Sequence, residues 1–275
     1  MTTSIRKYIK YFLLTVLFIF VIFFILIKPS NRGNWNDSVA VLPYAKVKDN
    51  NVTIYNIRNF KYKSEHEYKI QYYNESFDLN KLNGVDLLAT YWMGDTIAHI
   101  FLSFSFSDGK IVAMSIEIRT EKGENFSTVK GFFKQYELFY VVASENDIIK
   151  LRTNYRKNPT EDVYLYKLKS NVKNGQKLFL EYINQINSLK NKPVFYNTLT
   201  TNCTTTIWMN SLITDIDLPF SWKILVSGYL PEYLYDNGLI ENNGLTFKEL
   251  RRKSYINERV KNISDNENFS KLIRN

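Results

Sequence analysis

The chain has 275 residues, 45% of them hydrophobic, with 20 Tyr and 19 Phe, enough for one sizeable domain with a real core. The formal net charge is +9, but Arg6, Lys7, Lys10 and Lys28 flank one acid-free apolar segment, and residues 29–275 carry 32 cations against 27 acids with no dense Lys/Arg run. That argues against nucleic acid as a partner and suits a basic face near anionic lipid. The one cysteine, Cys203, excludes an intrachain disulfide and a Cys-rich zinc site.

In chain order, the first element is YFLLTVLFIFVIFFILI, residues 11–27, seventeen residues without a charge. At ~1.5 Å per residue it nearly spans a ~30 Å hydrocarbon core, and Lys10 and Lys28 sit where they can snorkel. A cleaved signal peptide is the alternative, but the run exceeds a usual signal core and no small-x-small site follows in IKPSNRGNW. Arg6, Lys7 and Lys10 precede the segment, so the positive-inside rule places residues 1–10 in the cytoplasm. The expected organisation is a signal anchor at 11–27, a linker at 28–50 and a domain outside the cytoplasm at 51–275, with a single crossing. Sequons occur, among them Asn51, Asn74, Asn125, Asn202, Asn262 and Asn268, and the one at Asn202 includes Cys203. A glycan there would occlude the cysteine. With the Lys/Asn/Ile-rich composition, this points to the periplasmic face of a bacterial inner membrane.

The domain opens with expected strands VTIYNI from Val52, EYKIQYY from Glu67 and VDLLATYW from Val85. AHIFLSFSF (98–106) and KIVAMSIEIR (110–119) flank Ser107-Asp108-Gly109, a three-residue hairpin loop with glycine at the left-handed position. YELFYVVAS (136–144) and DVYLYKLK (162–169) read as further strands, with a helix or an excursion between them. Residues 172–192 change to helical period, with Phe179, Ile183, Ile186 and Leu189 on one stripe and Pro193 closing it. A second helix is expected over 203–212, and Thr246 with Glu249 forms a capping box for a later one. Strands in front and helices behind predict an α+β domain with a mainly antiparallel sheet.

The chemistry-bearing residues are few. His66 lies in the polar stretch KSEHEYK and reads as solvated. His99 opens a strand. The three-residue turn pairs Phe106 with Lys110, Phe104 with Val112, Leu102 with Met114 and Ile100 with Ile116, apolar against apolar along one face. The same register sets His99 opposite Glu117, where cross-strand Cβ atoms lie ~4.5–5.5 Å apart and a carboxylate can orient an imidazole and raise its basicity. A surface His–Glu pair is the plainer alternative.

Asn202 is a good N-cap, which would put Cys203 in the first turn of a helix. A helix N-terminus and an imidazolium nearby favour a thiolate nucleophile, and a Cys–His–acid arrangement would follow. The alternative is a cysteine that serves as a small buried hydrophobe, against which the polar run NCTTT argues. Two histidines without ligand spacing give no metal site, and no cofactor is implied. Arg58, Arg119, Arg152 and Arg156 have ordinary ion pairing as the default, with phosphate or carboxylate head groups as the alternative.

Several segments together resemble a known family: NW at 35 with VLP at 41–43, IRNFKY, AHIFLSFSF, MSIEIR, KGFFKQYELFYVV, DIIKLRTNYR, VYLYKL and FYNTLTTNCTT. They are similar to the N-terminal periplasmic domain of Lnb-type proteins, over roughly residues 35–213. The resemblance implies a permuted papain-like (NlpC-type) fold, in which the histidine strand precedes the cysteine helix. It also implies lipoprotein N-acyltransferase-like chemistry, with Cys203 as nucleophile and acyl carrier and His99 as general base. Glu117 as the orienting acid rests on the register. Asn202, Thr204 and Arg119 complete the set as substrate-binding candidates, and a lipoprotein or lipid is the expected substrate. A thiol peptidase or amidase on cell-wall peptide, and a non-catalytic envelope binding module, are the alternatives.

Overall fold

The computed structural model of the chain describes residues 3–124, 127, 129–263 and 268–275; the sequon at Asn125 lies outside them. The apolar N-terminal segment forms α1, Thr3–Leu26. Its stretch Ile5–Leu26, 22 residues, is long and apolar enough to cross a membrane. The helix begins ahead of the uncharged run, so Arg6, Lys7 and Lys10 lie within its first turns.

The segment expected as a linker is docked on the domain. Trp35 and Val39 are buried, and the Asn36 amide donates to the Thr120 hydroxyl and the Glu121 carbonyl. Tyr44–Lys48 forms β1, paired antiparallel with β2, Asn51–Arg58. The strand expected from Glu67 is divided. Tyr68–Lys69 (β4) joins Lys61–Tyr62 (β3) in a small ribbon, while Tyr72–Asp78 (β5) runs along β2. A bulge between Ile54 and Ile57, with Asn56 at φ 64°, accommodates that switch.

The main strands follow the apolar periodicity: β6 Leu82–Tyr91, β7 Ala98–Phe106, β8 Ile111–Arg119, β9 Glu137–Ala143 and β10 Asp162–Lys167. The sheet order is β1-β2-β9-β8-β7-β6-β10, with β5 beside β2. All pairings in it are antiparallel except one β2–β9 bridge, Arg58 to Ala143. The β7–β8 hairpin closes through Gly109 at φ 85°, with the Gly109 N–H donating to the Phe106 carbonyl.

Helices cover both faces. α2, Glu145–Lys150, runs into a π-helical turn at Leu151–Tyr155. α3 (Val172–Asn191) is capped by the Asn171 side chain and is followed by α4 (Cys203–Ser211), α5 (Trp222–Leu225), α6 (Leu230–Asp236), α7 (Phe247–Ser254) and α8 (Phe269–Leu272). The α3 stripe Phe179, Ile183, Ile186 and Leu189 is buried against strand residues such as Phe104 and Phe106, at about 1.5–3 kcal/mol per side chain. The opposite face packs Phe101, Phe139 and Val141 under Ile148, Ile149, Ile256 and Phe269. The result is an α+β domain with a mainly antiparallel sheet behind one apolar N-terminal helix.

Candidate active site

The site forms where β7 and β8 part. Their ladder runs from the turn only as far as Leu102 and Met114. Beyond it β7 stays paired with β6, Thr90 opposite His99, and β8 with β9, Glu117 opposite Phe139. Side chains bridge the opened end. His99 Nε2 lies 3.0 Å from Glu117 Oε1 and 2.7 Å from Ser115 Oγ. Ser115 in turn donates to the same Glu117 oxygen at 2.7 Å. Phe101 packs beside the imidazole, with ring centroids 5.7 Å apart.

Cys203 arrives from the helix side. Asn202 caps α4 through its side-chain oxygen, which accepts from the Thr204 and Thr205 N–H groups at 3.0 and 2.8 Å, while the Thr205 hydroxyl accepts from the Asn202 N–H. This reciprocal box fixes the first turn, and the Thr206 N–H is bonded to the Asn202 carbonyl. The Cys203 N–H is therefore the first-turn donor without a partner among the described residues. The Cys203 side chain is half-buried and lies near the His99 imidazole, whose basicity it raises.

The electrostatics follow from burial and pairing. Burial opposes the imidazolium most, and Arg152 also opposes it, but Glu117 and Cys203 together push the His99 pKa up to about 9. For Glu117 burial also opposes charge, and His99, then Arg152 and the Ser115 hydroxyl, hold it well below the usual carboxylate range. Arg152, from the π-helical turn, reaches Glu117 at 3.3 Å and Glu161 at 3.0 Å. Arg156 also pairs with Glu161. The histidine and its carboxylate keep 12% and 24% of their side-chain surface exposed, so the site opens to solvent.

Cys203, His99 and Glu117 thus lie together; the three residues picked as substrate contacts do not join them as free groups. Asn202 and Thr204 are buried and spent on the helix cap, with the Thr204 hydroxyl also donating to the Ile224 carbonyl at 2.6 Å. Arg119 is 2% exposed and holds the docked N-terminal segment. It donates to the carbonyls of Val39 and Ala40 and to Asn31 Oδ1, and lies over the Trp35 ring. Arg58, Arg152 and Arg156 form ion pairs, Arg58 with Asp147. Ser115 went unnoticed in the sequence, and Arg152, read there as an ordinary ion-pairing residue, does form ion pairs, one of them with the Glu117 of the site. Strand alternation puts Ser115 on the Glu117 face, whereas Arg152 carries no local signal.

Fold and site together define an α+β domain in which a histidine and a carboxylate are in contact near a helix-capped cysteine, behind a helix able to cross a membrane. The family described as the Lnb N-terminal periplasmic domain matches residues 68–228, more than half of the chain, and the chain belongs to that family. No curated protein and no solved structure matches it.

Proposed function

We propose that the protein is a membrane-anchored thiol enzyme of the bacterial envelope that carries an acyl group on Cys203. Its N-terminus lies in the cytoplasm and its domain in the periplasm, in a permuted papain-like arrangement of histidine strand and cysteine helix. The observation that carries this reading is the His99–Glu117 pair beside Cys203, at the first turn of its helix, in a solvent-reached gap between two strands.

Nε2 of His99 is held by Ser115 and Glu117, which leaves Nδ1 to meet the thiol. The Cys203 proton rests on His99 in a thiolate–imidazolium pair, which Glu117 stabilises. Sγ adds to an ester or amide carbonyl carbon, and the carbonyl electrons move onto oxygen, where the Cys203 N–H is the natural donor. Collapse expels the leaving group, which takes the proton from His99 and leaves a thioester on Cys203. An amine or water then attacks the thioester, gives its proton to His99 and frees the sulfur. A lipid or lipoprotein donor near the bilayer suits the anchor and the family.

Intact-mass analysis of the full chain in detergent tests this, after incubation with phospholipid, diacylated lipoprotein or cell-wall peptide. A fatty-acyl mass on wild type, removed by hydroxylamine and absent from Cys203→Ser, is expected. A peptidyl mass instead would make the protein a peptidase. No adduct from any donor, with the fold intact, would overturn the thiol-enzyme reading.

A further inference from the structure

The last turn of α1 and the loop before β9 are in contact. Lys134 Nζ donates to the Phe24 carbonyl at 2.9 Å and lies 4.5 Å above the Phe24 ring. The stretch Ile5–Leu26 has 22 residues, about 33 Å at ~1.5 Å per residue, so it ends at the boundary of a ~30 Å hydrocarbon core. Whatever touches Phe24 therefore sits at the height of the head groups.

That loop is apolar where it is exposed. Val129 is 66% and Phe133 56% exposed, with Phe132 beside them, and Lys130 and Lys134 supply the charges. The neighbouring segment adds exposed Val194 and Leu199. The two segments are one unit: the Leu138 N–H donates to the Val194 carbonyl and the Tyr196 N–H to that of Tyr136. Gly131 packs so tightly on Thr198 that a Cβ would lie 2.4 Å from its hydroxyl oxygen. Aromatic and aliphatic side chains flanked by lysines are the composition that partitions into the interface.

We propose that the 129–134 turn, with Val194 and Leu199, is a membrane-docking surface. It seats in the head-group boundary of the bilayer that α1 crosses and holds the segment leading into Cys203 at that depth. This rests on α1 being a membrane span, as proposed above. The domain is then fixed face-down by two attachments, the helix and the turn, rather than swinging on a tether.

Nitroxide labels in nanodiscs test this with the full chain in a Cys203→Ser background, where each added cysteine is the only thiol. Labels go at Phe133 and Leu199, at Phe18 within α1, and at Asp108 on the hairpin tip at the far end of β7 and β8 from His99. Collisions with oxygen, which concentrates in lipid, should exceed those with a water-soluble nickel complex at Phe18, Phe133 and Leu199, with the order reversed at Asp108. If Phe18 reports lipid while Phe133 and Leu199 both behave like Asp108, docking is wrong and the anchor stands. If Phe18 itself reports water, the anchor reading fails and docking falls with it.

Discussion

Two ionic clusters on the same sheet have nearly the same parts. In one, Ser103 donates to Glu145, and Arg274 joins Glu145 to Asp86. In the other, Ser115 donates to Glu117, and Arg152 joins Glu117 to Glu161. They differ in how the arginine is used. Arg274 grips both oxygens of Glu145, at 2.6 and 2.8 Å, and the Glu145 side chain is fully buried. Arg152 touches Glu117 once, at 3.3 Å, so the carboxylate serves His99 instead, and the pair stays partly exposed beside the thiol. Serine, carboxylate and arginine thus build a clamp whose carboxylates are buried in one place and a partly exposed histidine site in the other.

The most severe way to break the site is at its base. His99→Ala should slow acylation of Cys203 in a single turnover by ~10²–10⁴-fold, the usual worth of a positioned general base, as read by intact mass against time. The Arg274 cluster should fail differently. Arg274→Ala leaves Asp86 and Glu145 without their cation and should cost about 3–5 kcal/mol of stability in denaturant unfolding, with no change in Cys203 acylation. A large acylation defect with unchanged stability would erase the distinction between the clusters.

Glu117→Gln sharpens the contrast through pH. Its His99 pKa should fall from about 9 to the unperturbed value of ~6.5 or below, since burial and Arg152 still oppose the imidazolium, as followed by imidazole NMR shifts. Because the folded pKa lies above the unfolded one, the stability His99 contributes is full below pH ~6.5 and is lost as pH rises through about 9. The wild type should lose stability across that window, and Glu117→Gln should not show the loss. The smallest effect is expected at the cap. Asn202→Ala should cost about 1 kcal/mol, roughly 2–4 °C in Tm for a domain of this size, in a thermal melt.

Much of this was legible in the sequence wherever a period fixes geometry. The alternation in AHIFLSFSF and MSIEIR, with a three-residue turn ending in glycine, set the register as far as Leu102 and Met114; the expected pairs Ile100–Ile116 and His99–Glu117 fall beyond it, where the strands have parted and side chains alone bring His99 to Glu117. The 3.6-residue stripe set α3, and Asn202 set the start of α4. What escaped depends on chain-remote partners. β1 hid because only Ala45 in it is fully buried, which leaves no alternation to read. Arg119 reads as an ion-pairing residue or a substrate contact because its real acceptors are mainly backbone carbonyls some 80 residues away, at Val39 and Ala40. Arg152 reads as an ion-pairing residue, but its partner Glu117 lies 35 residues away from its π-helical turn, and nothing in the local pattern marks that pairing. The parting of β7 and β8 was equally invisible, because the periodicity continues past the point where pairing stops.

The account's central claim is that His99, held by Glu117, activates Cys203. As the sole cysteine, Cys203 allows a test that needs no substrate: the rate of iodoacetamide alkylation of the folded full chain at pH 7. The account predicts at least a tenfold slower reaction in His99→Ala and an intermediate rate in Glu117→Gln, of the order expected when an imidazole partner is lost or weakened. Equal rates in all three proteins, each with an intact fold, would contradict it.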